Sequence, residues 1–160
     1  MKRLVSLFLI TVLLLSGCAE QLKEPVSFYY IRSGYETDMT NIIAAEQRES
    51  SGHRGDLSYL MALYFMGPAD EELLAPLPGN THLLSATIDG SMVTLQLSDT
   101  SDSVTDAHFT VACACLTLTC LELTGAETVT IISGNRSVTL GNDDLLLRDL
   151  PTPVLTEETP

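Results

Sequence analysis

Leu83-Leu84-Ser85-Ala86-Thr87-Ile88, Asp89-Gly90-Ser91 and Met92-Val93-Thr94-Leu95-Gln96-Leu97 form the stretch whose reading decides the fold. Val93, Leu95 and Leu97 alternate with Thr94 and Gln96, the period of a strand with one buried face. Asp89-Gly90 suits the positive φ that a tight hairpin turn requires. The stretch therefore predicts two antiparallel strands, 83–88 and 92–97, whose apolar face needs a covering layer.

Both flanks offer that layer. Upstream, Asp56 is a good N-cap, and Leu57, Leu60, Met61, Tyr64 and Phe65 recur at the spacing of an amphipathic helix. Gly67-Pro68 ends it, since glycine accepts the left-handed C′ conformation and proline cannot continue the ladder. A loop follows through Pro76, Pro78 and Gly79. Before the helix, Val26–Ile31 is aromatic and β-branched and predicts a strand. Residues 41–48 predict another, although alanine and glutamate suit a helix as well. Downstream of an acidic, serine-rich loop, 98–103, a helix is expected over 106–124, with Thr105 as N-cap and Gly125 as stop. Residues 128–132 read as a strand, Asn135 heads a turn, 137–140 is a short strand or extended edge, and 142–150 is irregular. The expected fold is α+β: a two-layer sandwich with a small mixed sheet covered by two helices.

The chain resembles a GerMN domain, the module of sporulation and germination lipoproteins. The resemblance rests on Val26–Tyr30, on Leu63-Tyr64-Phe65-Met66-Gly67-Pro68, on Leu77-Pro78-Gly79-Asn80-Thr81-His82-Leu83-Leu84-Ser85-Ala86, and on Asp89-Gly90 leading to Val93–Ser98. It spans 26–149. Asn80 lies inside the usual Pro-x-Gly-Thr run, Gln96 replaces an acidic position, and one domain stands where the germination protein carries two. GerMN domains in turn resemble ring-building motifs, so the resemblance implies a non-catalytic role in an envelope assembly.

The N-terminus is organised for export. Lys2 and Arg3 precede an apolar run, 4–15, which is short for a transmembrane helix at about 17–25 residues, and Ser16-Gly17 lead into Cys18. Leu15-Ser16-Gly17-Cys18 resembles the bacterial lipobox, in which cleavage leaves a diacylglyceryl-cysteine at the new N-terminus. The expectation is a signal peptide over 1–17, lipidated Cys18 with a linker to residue 25, one domain over 26–150 and a disordered tail over 151–160. That resemblance implies an extracytoplasmic protein held to the cell membrane by acyl chains, palmitate among them, through Cys18.

Losing 17 of 160 residues leaves 143, one ordinary domain with no room for the two lobes of a solute receptor. The eight basic residues lose Lys2 and Arg3, leaving six against 21 acidic ones, a formal charge of −15. That balance works against nucleic acid and anionic lipid, which need Lys and Arg to neutralise phosphate. Beyond Cys18 the cysteines are Cys113, Cys115 and Cys120. On a helix, Cys113 and Cys120 lie about 10 Å apart along the axis at 1.5 Å per residue, too far for a disulfide. Small buried hydrophobes are the better reading.

Reaction chemistry is not declared. His53, His82 and His108 are isolated, and no Gly-x-Ser-x-Gly elbow, P-loop or dinucleotide fingerprint occurs. Asp99, Asp102 and Asp106 lack EF-hand spacing, and a solvated loop accounts for them. The expectation is no enzyme, no cofactor and no metal.

One feature asks for a partner. In helix 106–124, Phe109, Ala112, Cys113, Leu116, Cys120 and Leu123 make one apolar face, and Val111, Ala114, Cys115, Leu118 and Leu121 nearly make a second. A helix apolar on almost all sides expects burial on more than one. Either the first helix and the C-terminal segment cover the second face, or it meets a protein partner or another copy. The favoured reading is a membrane-anchored assembly protein of sporulation, germination or the cell envelope. The alternative is a lipoprotein that binds a cell-wall glycan or a small solute, although Trp is absent and no aromatic cluster declares a sugar platform.

Overall fold

Pro25–Arg32 forms β1, and its alternation works out in three dimensions: Val26, Phe28 and Tyr30 are buried, as is Ile31. The computed structural model describes residues 23–35 and 42–145. The expected signal peptide, Cys18, all but the end of the linker, and residues 146–160 lie outside the described residues. β2, Ile43–Glu49, pairs antiparallel with β1 from Pro25↔Glu49 to Ile31↔Ile43. Helix α1 is Leu57–Phe65, capped as expected by Asp56, whose carboxylate accepts from the Tyr59 N–H. A two-residue strand, β3 (Leu73–Leu74), pairs with Ile31 and Arg32 inside what the sequence reads as loop.

β4 (Leu83–Asp89) and β5 (Met92–Leu97) are the expected hairpin. Helix α2 spans Asp106–Thr124, with Thr105 accepting from the His108 N–H and Gly125 left-handed at φ 68. It carries the chain from β5 to β6 (Thr128–Ser133), which lies parallel to β5, as a crossover of that length allows. β7, Arg136–Gly141, returns antiparallel and ends in a 3-10 turn at Asn142–Asp144.

Among the described residues the fold is α+β with two helices, and the strands form two sheets, ordered β2-β1-β3 and β4-β5-β6-β7, where the sequence reading had one. Side chains explain the division. The Tyr29 N–H on the second edge of β1 donates to Thr119 Oγ1 of α2 at 3.0 Å, and Tyr64 Oη of α1 donates to the Tyr29 carbonyl at 2.9 Å. Backbone groups that would otherwise recruit a strand are thus satisfied by helices. The Tyr64 ring stacks on Tyr30 at 4.7 Å and meets Phe28 edge-on, while Tyr30 Oη donates to the Tyr64 carbonyl at 3.0 Å. Desolvation raises the pKa of both phenols, which therefore stay protonated donors.

The charged half of β2 has a definite task. The Arg48 guanidinium donates to the carbonyls of Leu63 and Gly67, closing the C-terminal end of α1, and Glu46 accepts from the Ala69 and Asp70 N–H groups. Together they fix the turn at Gly67-Pro68. Arg136 does the same for the loop into α2, donating to the Val104 carbonyl and Thr100 Oγ1 with its guanidinium 4.1 Å from the centre of the Phe109 ring.

The hairpin turn is displaced by one residue from the Asp-Gly pair. Asp89 still pairs with Met92, so the loop is Gly90-Ser91, and Gly90 alone has positive φ, at 58. Glycine at the first of two loop positions is the type II′ arrangement. Gly90→Val is expected to cost on the order of 1 kcal/mol more than Ser91→Val, because only the former puts a Cβ in the left-handed region. Urea unfolding of the two variants checks this, and equal midpoints would contradict it.

Candidate interaction surface

α2 is built to be enclosed. Phe109, Ala112, Cys113, Leu116 and Cys120 join Val93, Leu95, Val129 and Ile131 of the four-stranded sheet in the main core. Cys115 and Thr119, one turn apart, lie toward β1, where Thr119 receives the Tyr29 N–H. The helix packs along β1 on one side and reaches β6 and β7 on the other. Its apolar circumference is therefore partly explained from within, by β1 and by the first helix, whose Met61 meets Cys120; residues 146–160 lie outside the described residues. By length and composition α2 could cross a membrane, yet eight of its 19 residues are buried inside the domain, so it is the core helix.

What remains open is a narrow stripe. Of the five residues expected on a partner face, Cys115 is fully buried and turned inward, while Val111, Ala114, Leu118 and Leu121 are half-buried. Leu121 packs against the edge of the core. Exposed Ala107 and Glu122 extend the stripe at the same spacing of three and four residues. Glu122 is its one charge. Periodicity groups Cys115 with this stripe because a helix face read alone says nothing about β1 covering part of it.

The thiols are inert by position. Burial pushes Cys113, Cys115 and Cys120 each up to about 12, and Cys120 Sγ lies 3.8 Å from Met61 Sδ. Among the described residues these three cysteines are free. A thiol pKa raised on folding contributes stability that is fully present below the unfolded value of about 8.5 and is lost as pH rises toward 12. The native chain is expected to leave these thiols unlabelled by a thiol reagent at pH 8 and to release all three in denaturant. Rapid native labelling would contradict the packing of α2.

The three histidines stay apart. His53 is exposed and stacks on Tyr59 at 4.0 Å, His82 is exposed, and His108 Nε2 is 2.8 Å from the Pro76 carbonyl. His108 borders a cleft of about 380 Å³ beside Ala75, Leu77 and Pro78. The hydroxyls there are engaged locally: Ser103 Oγ donates to the Thr100 carbonyl, and Thr105 caps α2. Asp99 accepts from the Ser101 N–H and hydroxyl, which lower its pKa, and Asp106 lies 3.6 Å from Arg136. Among the described residues no three His, Cys, Asp or Glu side chains are placed to hold a metal ion.

A family model described as Germane, sporulation and spore germination, matches residues 27–139. Among solved structures, a protein provisionally named a lipoprotein from Clostridium perfringens is similar, with 19% identity over 75% of this chain and 88% of that one and a TM-score of 0.47. A likeness at that level bears on neither anchoring nor function. No curated protein matches the chain in sequence.

Proposed function

Because the chain belongs to the Germane family of sporulation and spore germination domains, we propose that it is a non-catalytic assembly module of the cell envelope, lipid-anchored through Cys18 on the extracytoplasmic side. The observation that carries the assembly role is the α2 stripe: Val111, Ala114 and Leu118 stay half-buried on a helix whose other apolar side chains pack into the domain. Small and apolar side chains with Glu122 as the sole charge suit contact with another protein surface. The anchor rests on the sequence around Cys18, and acyl chains there supply membrane affinity independent of the domain's negative charge.

Two measurements test this. Cys18→Ala is expected to leave a folded domain that carries no lipid; mass spectrometry of the membrane-extracted parent chain should find diacylglyceryl at Cys18, and an unmodified cysteine would overturn the anchor. Val111→Asp is expected to shift the detergent-extracted protein to a smaller species on native gels. An unchanged species would overturn the role of α2.

A further inference from the structure

The outer face of the four-stranded sheet carries mostly uncharged side chains. Strand register sets Thr87, Thr94, Thr130 and Thr139 side by side across β4, β5, β6 and β7. These four point away from the core, because Val93, Leu95, Val129 and Ile131, their neighbours along the strands, are buried. Thr87 and Thr139 are exposed, Thr94 and Thr130 half-buried, and the hydroxyls of Thr130 and Thr139 are 2.8 Å apart. In the rows on either side of this one the single charged residue is Asp89, at a corner.

We propose that this threonine face binds the same face of a second copy of the chain. The chain carries a formal charge of −13, so copies repel one another over most of their surface. A surface whose carboxylates, Asp89 with Glu127, Asp143 and Asp144 beside Thr128 and Gly141, are confined to one end is where two such chains can meet with few like charges desolvated. Threonine also makes the face self-complementary, since each hydroxyl both donates and accepts and can pair with its counterpart. A twofold contact, in which one patch meets itself, requires that property. The methyl groups fill the space between two sheets stacked about 10 Å apart. Four strands about 4.8 Å apart, with residues at about 3.3 Å, give a patch of roughly 300 Å². A stable complex commonly buries about 800 Å² per partner, so the dimer is weak and reversible. This contact lies on the far side of the sheet from α2 and does not depend on the α2 stripe.

Thr130→Cys in the full chain, treated in its membrane with a short bismaleimide, tests the proposal. A residue near the twofold axis meets its own counterpart, so a cross-linked homodimer is expected, while the parent chain, with Cys113, Cys115 and Cys120 buried, gives none. Adding Thr87→Glu and Thr139→Glu should reduce the product at least tenfold, and adding Leu118→Glu should leave it. Circular dichroism confirms that the variants are folded; if the double variant is not, Thr139→Glu alone, on an exposed edge-strand position, takes its place. Absence of the homodimer, its persistence in the folded glutamate variant, or its loss with Leu118→Glu would each overturn the proposal. The last outcome would leave the α2 contact standing.

Discussion

Leu116→Asp is expected to unfold the domain. Leu116 is fully buried in the core between α2 and the four-stranded sheet, in a cluster of hydrophobic side chains. A carboxylate there must be desolvated without a partner or be protonated, and either costs several kcal/mol. Domains of this kind have only about 5–15 kcal/mol in hand. Circular dichroism should show loss of the helical signal, and a cooperative transition near the parental midpoint would contradict the assigned inner face of α2.

Tyr64→Ala carries the second largest expected effect. Tyr64 is the hinge of the packing between α1 and β1: its ring stacks on Tyr30, and its hydroxyl satisfies the Tyr29 carbonyl. Truncating a buried aromatic costs about 3–5 kcal/mol. Tyr64→Phe keeps the ring and strands one half-buried carbonyl, costing about 1 kcal/mol. Urea unfolding of both variants checks the order, and equal costs would show that the stacked ring contributes nothing beyond its hydroxyl.

The elements that were legible in the sequence are those whose signals are local. The bounds of α2, its cap at Thr105 and its stop at Gly125 follow from capping chemistry. β5 follows from strict alternation, and α1 from Asp56 and Gly67-Pro68. The division into two sheets was not legible, because it depends on Thr119 and Tyr64 reaching the edge of β1 from positions 90 and 35 residues away in the chain. β3 is too short to carry a pattern. On α2, periodicity groups Val111, Ala114 and Leu118, which are half-buried, with Cys115, which is fully buried, since helical periodicity locates a face without saying how wide the covering layer is. The threonine row was equally hidden. Thr94 and Thr130 read as polar positions in separate strands, and only the parallel pairing of β5 with β6 makes them neighbours.

The assembly role of the domain depends on the half-buried stripe of α2 being a contact surface. Sedimentation of the full chain in detergent, with circular dichroism on the same samples, measures this for the parent and for Leu118→Glu. The prediction is a parental assembly larger than a dimer and a Leu118→Glu chain that keeps its helical signal but falls to units no larger than the weak face-to-face dimer. If Leu118→Glu sediments like the parent, or loses its fold as completely as Leu116→Asp, the stripe is not an interface and the assembly reading is wrong.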